Sequence, residues 1–193
     1  MRGSLSYEKF CMEADELVRR SHEVASKQEV GKDSCVATWE WRHGNRQHLD
    51  GDSYLVSTGN TRQYQVATIL QPQNVKTALL EFHIVYHTIY QTPVLYFRAL
   101  AVDGTPLPTS IITRHIQFPG SNSRSTFIAM EAHPVLGKPF SFLHPCETAA
   151  AMQLLQTQSC TAPMAQVPQY LLSWLSLVQP LTGISPLDYY SIR

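Results

Sequence analysis

Two runs of β-forming residues dominate the middle of the chain: Ala78-Leu-Leu-Glu-Phe-His-Ile-Val-Tyr-His-Thr-Ile-Tyr90 and Val94-Leu-Tyr-Phe-Arg-Ala-Leu-Ala-Val102. Both runs are rich in aromatic and β-branched residues, which favour strands. Only Gln91-Thr92-Pro93 separates them, and so short a connection predicts an antiparallel hairpin. Asp103-Gly104 then predicts a turn that takes the chain out of the sheet.

The segments before this hairpin predict one helix and little further sheet. Residues Ser6 to Lys27 lack Gly and Pro, and their apolar residues recur at roughly helical spacing. A turn is predicted at Gly31 to Ser34 and a strand at Val36 to Arg42, which is rich in aromatic residues. The polar stretch Arg42 to Arg62 predicts a loop with a short strand at Tyr54-Leu-Val.

The last third of the chain predicts helices. Good helix formers run from Glu147 to Gln156. A second helix is predicted from Pro168 to Val178, where the apolar positions form one continuous face. A helix, an antiparallel sheet and then further helices indicate an α+β fold.

Composition excludes some classes of function. The chain has 193 residues, with 15 Lys and Arg against 15 Asp and Glu, so it lacks the positive charge of a nucleic-acid binder or a polybasic membrane arm. The stretch from Thr148 to Leu187 carries no charged residue, but its prolines interrupt any membrane-spanning run, so we interpret it as buried in the domain or at an interface. No secretory pattern starts the chain, and we expect a cytoplasmic protein with free thiols.

Cys146 is the most informative cysteine. Pro145 precedes it and a helix-forming run follows it, so its sulfur is expected at a helix N-terminus, where a thiolate is favoured. The alternative is a small packed hydrophobic residue at a turn. His144 is interpreted either as a turn residue bonded to backbone or as a group that positions a substrate or supports the loop.

The remaining chemistry-bearing residues give weaker signals. Cys11, Cys35 and Cys160 form no CxxC pair with each other or with Cys146, so neither a zinc ribbon nor a redox pair is indicated. His83 and His87 lie four apart on a predicted strand, a separation of roughly 13 Å that is too long for one shared metal ion. We expect these two histidines to face solvent or an interface.

Three blocks of sequence resemble the autophagy-related protein 10 family. They are the hairpin from Gln91 to Leu107, the approach Glu131-Ala-His-Pro-Val-Leu-Gly-Lys-Pro-Phe-Ser-Phe-Leu-His-Pro-Cys146, and the helix from Tyr170 to Pro180. They occur in the family's order, which is more specific than any single block. The resemblance implies one ubiquitin-conjugating-like catalytic domain over residues 1–193, without cofactor or metal.

The same resemblance implies an enzyme that accepts a ubiquitin-like protein as a thioester on Cys146 and passes it to a lysine. In this family the cargo is autophagy-related protein 12, the acceptor is autophagy-related protein 5, and the donor is the activating enzyme, autophagy-related protein 7. Ordinary ubiquitin-conjugating enzymes carry His-Pro-Asn upstream of the cysteine, and the Asn supports the oxyanion. Here Val135 follows His133-Pro134, so we expect His144 to supply the missing polar group, with Tyr86 and Tyr90 as weaker candidates.

We expect the acceptor to dock on an edge of the long hairpin, through Ile84, Tyr86, Ile89 and Tyr90. The alternative is that the segment Arg42 to Arg62 covers this edge. Two other functions stay open: a lipid-conjugating sibling of the autophagy-related protein 3 type, and a non-catalytic module that binds a ubiquitin-like protein. The sibling family has an acidic insert and an amphipathic membrane helix, which the sequence lacks, and the His-Pro-Cys loop argues against a non-catalytic module.

Overall fold

The hairpin predicted from the sequence lies at the centre of the sheet. The computed structural model describes residues 4–27, 36–46, 48–68, 71–113, 128–159 and 169–190. Its elements are α1 (Tyr7–Lys27), β1 (Glu40–His43), β2 (Ser53–Thr68), β3 (Gln71–His87), β4 (Thr92–Ala101), α2 (Thr109–Thr113), β5 (Ile128–Ala132), β6 (Pro139–Leu143), α3 (Pro145–Ser159), α4 (Tyr170–Thr182) and a 3₁₀ helix (Pro186–Tyr189). The α+β fold class predicted from the sequence is confirmed.

The described strands form one antiparallel sheet in the order β1-β2-β3-β4-β6-β5. β3 and β4 pair from Ala78 with Ala101 to His87 with Thr92, which confirms the predicted hairpin. Residues 88–91 form its turn, where Gln91 adopts a positive φ of 50°. β6 contacts β4 only at Phe142 with Tyr96 and Ser141 with Phe97. The strand that leads to Cys146 is therefore attached to the sheet by a short pairing.

The prediction of a loop from Arg42 to Arg62 with a short strand at Tyr54-Leu-Val holds for residues 44–52 and for that strand, but it is wrong for the rest of the stretch. β2 occupies Ser53–Thr68 and pairs along β3, so the connection between β1 and β2 is confined to residues 44–52. Beyond Ser57 the strand leaves β1 but still pairs with β3, and from Gln63 onward, past the last β3–β4 pair at Ala78, the two strands form a two-stranded arm. The polar side chains of this part of β2 give no alternating apolar signal. Because β2 covers β3, the predicted sheet edge is absent and the alternative, a covered edge, is correct.

The two faces of β3 carry different residues. Leu80, Phe82 and Ile84 point to the main core, beneath α1 and α4, and Tyr86 belongs to the same face. Glu81, His83, Val85 and His87 alternate with them on the opposite face of the sheet. A second apolar cluster covers that opposite face, and its members are Tyr54, Val56, Val85, Val94, Tyr96, Phe140 and Phe142.

The first helix has the predicted amphipathic character. Phe10, Ala14 and Leu17 are buried against the sheet. Ser21 Oγ accepts a hydrogen bond from the backbone N–H of Trp39 at 3.0 Å, and His22 Nε2 lies 3.1 Å from the carbonyl of the same residue. Because the backbone N–H and C=O of Trp39 bond to these side chains, they do not pair with a neighbouring strand. The strand predicted from Val36 accordingly begins only at Glu40.

The uncharged C-terminal stretch contributes to the core. Of the two interpretations of this stretch, burial in the domain or at an interface, the first holds for its described residues. The described residues that are buried on α4 include Tyr170, Leu171, Trp174, Leu175 and Val178. Tyr189 Oη accepts a hydrogen bond from Trp39 Nε1 at 3.0 Å and donates one to the Ala37 carbonyl at 2.8 Å. In the described ranges, no helix combines the length and apolar character needed to cross a bilayer.

Several expectations fall on residues that the structure leaves undescribed. They are the turn at Gly31 to Ser34, Cys35, Cys160 and the helix start at Pro168. The described part of the last helix begins at Tyr170. The helix predicted from Glu147 begins two residues earlier, at Pro145.

Candidate active site

Cys146 lies where the sequence predicts it, at the start of a helix. β6 ends at Leu143, Pro145 is the first residue of α3, and Cys146 is the second. Pro145 is buried and fixes the entry of the chain, because a proline at the first helical position needs no hydrogen-bond partner for nitrogen. The side chain of Cys146 is exposed. This placement excludes the alternative of a packed hydrophobic residue and leaves the thiol open to a partner protein.

His144 caps the helix that carries Cys146. Its Nδ1 accepts a hydrogen bond from the backbone N–H of Cys146 at 3.2 Å, the contact that an N-cap side chain makes to the second helical residue. In the neutral imidazole the other nitrogen must then carry the hydrogen. His144 is half-buried, so its Nε2–H is a polar donor on the loop of the cysteine.

Two residues from the β3–β4 turn region extend this group. The ring of Tyr90 lies 6.2 Å from the ring of His144, and the ring of His87 lies 4.7 Å from that of Tyr90. The backbone N–H of Tyr90 also donates to Nδ1 of His87 at 3.3 Å. Burial lowers the pKa of His87, while the charge of Glu131 acts in the opposite direction. The result is a row of aromatic and imidazole rings beside the cysteine loop.

The four residues expected to bind an acceptor do not form one surface. Ile84 is 0% exposed and Tyr86 is 5% exposed, so the expectation that they contact a partner is wrong. Both belong to the helix-covered face of β3, and Tyr86 Oη donates to the Leu5 carbonyl at 2.7 Å. Ile89 and Tyr90 are 82% and 48% exposed and lie in the turn after β3, so Tyr86 and Tyr90 do not share a strand face.

His83 is buried, which contradicts its predicted exposure. It is 1% exposed, and its Nδ1 lies 3.0 Å from Nε2 of His133, which is 0% exposed. Its own Nε2 lies 2.7 Å from Glu81 Oε1. The other oxygen of Glu81 accepts hydrogen bonds from Arg98 at 2.9 and 2.7 Å. A hydrogen-bonded chain thus runs from His133 through two side chains of β3 to an arginine of β4.

The positions of the hydrogens in this chain follow from its far end. The backbone N–H groups of Val135 and Leu136 both donate to Nδ1 of His133 at 3.2 Å, so His133 carries its hydrogen on Nε2. That hydrogen is donated to His83, which then donates from Nε2 to Glu81. Burial, with the nearby His83 second, lowers the pKa of His133 to about 3. His133 is therefore neutral and holds the turn before β6.

Glu81 is ionised at the end of this chain. The hydrogen bond from His83 lowers its pKa most, and the hydrogen bond and charge of Arg98 lower it further against the effect of burial. The rings of Tyr96 and Phe140 pack 5.0 and 5.2 Å from His133. The turn that starts with His133-Pro134 is thus fixed by both polar and apolar contacts.

Cys11 is less accessible than Cys146. It lies half-buried on α1, and burial raises the pKa of its thiol. In the described ranges, no three His, Cys, Asp or Glu side chains come together as a metal site would require.

The residues that the sequence did not single out for the site are His87 and Glu131. His87 was expected to be a surface residue, and only its position at the end of β3 brings it near Tyr90. Its one sequence signal was its place three residues before Tyr90 at the hairpin turn. Glu131, on β5, had no signal at all, since β5 joins the sheet through β6.

Comparison with known proteins connects this geometry to a family. The chain is 39% identical over 124 residues to the ubiquitin-like-conjugating enzyme ATG10 of Arabidopsis thaliana, covering 61% of this chain and 55% of that protein. It is 38% identical over 119 residues to the human protein of the same name, covering 56% and 51%. It is also 30% identical over 116 residues to autophagy-related protein 3 of Dictyostelium discoideum, covering 60% and 33%.

The alignments with the two conjugating enzymes span about half the length of those relatives. A family model described as autophagocytosis associated protein, active-site domain, matches residues 9–189, from the first turn of α1 to the end of the 3₁₀ helix. Cys146, His144 and the chain from His133 to Arg98 all lie within this range. The chain therefore belongs to the autophagocytosis associated protein, active-site domain, family.

Proposed function

We propose that this protein is an E2-like conjugating enzyme of autophagy. It accepts autophagy-related protein 12 from the activating enzyme, autophagy-related protein 7, as a thioester on Cys146, and transfers it to a lysine of autophagy-related protein 5. The observation that carries the proposal is the exposed Cys146 at the N-terminus of α3 in a member of an active-site-domain family. The relatives named as ubiquitin-like-conjugating enzymes support it. The catalytic domain spans residues 1–193 and acts in the cytoplasm.

The first step is thioester exchange. The thiolate of Cys146 attacks the carbonyl carbon of the cargo's C-terminal thioester, the new C–S bond forms, and the old C–S bond breaks as the activating enzyme's thiolate leaves. No catalytic dyad is needed, because the incoming thioester is already activated. The exposure of Cys146 provides the access that this exchange requires.

The second step is aminolysis. The neutral amine of the acceptor lysine attacks the thioester carbonyl, a C–N bond forms, and the C–S bond breaks with its electron pair on Sγ of Cys146. Of the two protons that the lysine ammonium loses, one goes to the released thiolate and one to water. Negative charge develops on the carbonyl oxygen in this step and has to be stabilised.

His144 is the group we assign to that charge. The side chain of Val135 is apolar and packs against the second apolar cluster, so this side chain cannot donate a hydrogen bond to the oxyanion. His144 presents Nε2–H on the loop of the cysteine, because its Nδ1 already accepts the N–H of Cys146. Tyr90, whose ring contacts His144, is the second polar group of the site.

The acceptor binds directly to the β3–β4 turn. Ile89 and Tyr90 present exposed apolar surface next to the ring of His144, which is the arrangement expected for a contact with the acceptor. Ile84 and Tyr86 are excluded from this role by their burial.

The lipid-conjugating function is the second candidate, favoured by the similarity to autophagy-related protein 3. Against it stands the exposed face of α1, where acidic and basic residues alternate in ion pairs such as Arg19 with Glu16 and Lys27 with Glu23. A helix that binds anionic lipid has an excess of Lys and Arg on its polar face. A non-catalytic binding module would not require the exposed cysteine.

A charging assay tests the proposal. The protein is incubated with the activating enzyme, ATP and autophagy-related protein 12, and the products are separated with and without thiol reductant. We expect a band larger by one cargo that reductant removes and that is absent in Cys146→Ala. The charged enzyme is then mixed with autophagy-related protein 5 or with vesicles containing phosphatidylethanolamine.

The two acceptors separate the candidate functions. An isopeptide conjugate with the protein acceptor supports the proposal, whereas a lipid conjugate alone would replace it with the sibling function. With an active preparation of the activating enzyme, failure to form the thioester would favour the binding module. Cys11→Ala is the matched control, because it removes the other described cysteine and leaves Cys146 in place.

A further inference from the structure

A cavity of about 550 Å³ lies at the end of the sheet, on the face opposite α1 and α4. Val85, Val94 and Tyr96 form its apolar floor, and these residues belong to the second apolar cluster. The connection between β1 and β2 forms one wall, while His87 and Pro134 border the other side. Neither thioester exchange nor aminolysis, as described above, assigns a role to this cavity.

The wall formed by Arg46 and residues 48–52 is fixed by a buried carboxylate. Asp52 is 5% exposed and accepts a hydrogen bond from the backbone N–H of Arg46. The backbone N–H of Gly44 donates to the carbonyl of Asp52 at 2.8 Å. A Cβ at Gly44 would collide with the Asp52 carboxylate, so glycine is required for this close approach. The cavity is consequently present before any ligand binds.

The lining of the cavity carries more negative than positive charge, because Asp50 and Asp52 stand against Arg46. Arg46, the cation of the wall, lies 3.9 Å from the carboxylate of Asp52, which offsets its charge. Asp50 is left without such a partner among the described ion pairs, and after burial its charge is the next cause that raises the pKa of Tyr86. Glu131, after burial, helps to raise the pKa of Tyr96 to about 12. Of these two carboxylates, Asp50 belongs to the lining of the cavity and Glu131 acts on Tyr96 of its floor, whereas the Tyr86 hydroxyl lies on the helix-covered face.

A series of ring contacts leads from the border of the cavity to the cysteine loop. His87 borders the cavity, the ring of His87 contacts that of Tyr90, and the ring of Tyr90 contacts that of His144. His144 in turn caps Cys146. The cavity therefore lies on the same side of the molecule as this row of rings, which ends at the loop of Cys146.

We propose that this cavity binds the lysine-bearing segment of the acceptor protein, with the aliphatic part of the lysine on Val94 and Tyr96 and its amine directed past His87. The inference rests on the function proposed above and adds the place where the nucleophile is recognised. A long aliphatic chain with a cationic end matches an apolar floor within a lining of net negative charge. The volume also accommodates the backbone on either side of the lysine.

The test measures the discharge of the charged, full-length protein. Asp50→Lys reverses the charge at the rim, and Thr88→Trp places a large ring at the exposed edge of the cavity, where neither change disturbs the core. Asp103→Lys is the matched control, because it makes the same charge change at the opposite end of β4, about 30 Å away along a strand of ten residues. Each variant, carrying the cargo as a thioester, is mixed with the acceptor protein or with hydroxylamine, a small uncharged nucleophile.

The ratio of the two rates is decisive, since hydroxylamine reports the intrinsic reactivity of the thioester. We expect this ratio to fall about 10-fold or more in Asp50→Lys and Thr88→Trp, and to stay unchanged in Asp103→Lys. Equal ratios in all three variants would overturn the cavity inference while leaving the thioester function standing. A parallel loss of hydroxylamine reactivity would also contradict it, and a wild type that forms no thioester would overturn the proposed function first.

Discussion

The chain contains two His-Pro turns that use the same local device in different surroundings. In His133-Pro134 and in His144-Pro145, Nδ1 of the histidine accepts the backbone N–H of the residue two positions later, at 3.2 Å in both turns. His133 is fully buried, and its Nε2–H donates a hydrogen bond to His83. His144 is half-buried beside Tyr90 and an exposed cysteine.

The burial and hydrogen-bond partners of each histidine therefore decide what the same local motif does. His133 has both ring nitrogens occupied, so its contribution is to hold the turn before β6. His144 uses one nitrogen to cap α3, and its other nitrogen is the group we propose for the reaction at Cys146. Stability is therefore expected to depend on His133 far more than on His144, and transfer on His144 rather than on His133.

The largest effect on stability is expected from His133→Ala. It leaves two backbone N–H groups and Nδ1 of His83 without a partner and opens a cavity among aromatic rings, so we expect a loss of about 2–4 kcal/mol in the free energy of unfolding. Urea unfolding followed by circular dichroism measures it. A loss no larger than that of His144→Ala would erase the distinction between the two turns.

Acid is expected to destabilise the protein through the same residue. An unfolded histidine titrates near 6.5, whereas the pKa of His133 is about 3, so the unfolded state binds the extra proton between these values. Its contribution to stability is full above pH 6.5 and is lost as the pH falls. Between pH 7 and pH 4.5 we expect a loss of about 2–3 kcal/mol.

Thermal and urea unfolding at both pH values measure this loss. His133→Ala is the control, since its stability should fall less over the same interval. Glu81 contributes in the same direction but at lower pH, because its pKa is lowered and its stabilisation is retained until the pH drops below the unfolded value near 4.3. An identical pH dependence in wild type and His133→Ala would contradict the assignment.

A smaller effect is expected at the far end of the buried chain. Glu81→Gln keeps an acceptor for His83 but removes the charge that faces Arg98, so we expect a loss of about 1–2 kcal/mol. Denaturant unfolding of Glu81→Gln, Arg98→Gln and the double variant separates the pair. Additive effects of the two changes would show that the residues do not act together.

The smallest effect on stability is expected from His144→Ala, where loss of a cap costs about 1 kcal/mol or less. This variant should charge normally and discharge to the acceptor more slowly than wild type. Single-turnover discharge of the isolated thioester measures the rate. If His144→Ala discharged at the wild-type rate, His144 would have no role in the transfer step and would act only as a helix cap.

Local patterns predicted much of this molecule. The hairpin of β3 and β4 has a continuous apolar and aromatic signal, and Pro145 with the helix formers after it places Cys146 at a helix start. The pattern predicts a strand at Tyr54-Leu-Val but not the rest of β2, because the residues from Thr58 to Gln65 are mostly polar and most of them are exposed, so they show no apolar alternation. The alternation of side chains along a strand assigns each residue to one face of the sheet, but it does not show whether another part of the chain covers that face.

His83 illustrates this limit. On the sequence it is a polar residue that alternates with Phe82 and Ile84, a pattern typical of a solvent-facing position. Its burial depends on His133, 50 residues later, whose turn covers that face of the sheet. The cavity beside His87 also depends on segments distant in sequence, and the burial of Ile84 depends on the helices that cover the other face, so local patterns predict neither.

The assignment of Cys146 as the residue that carries the cargo is the centre of this account, and a trapped ester tests it most directly. Cys146→Ser is incubated with the activating enzyme, ATP and autophagy-related protein 12, and the product is digested and mapped by mass spectrometry. We predict a reductant-resistant ester between the C-terminus of the cargo and Ser at position 146. An ester or thioester on any other residue, with position 146 unmodified, would contradict the account.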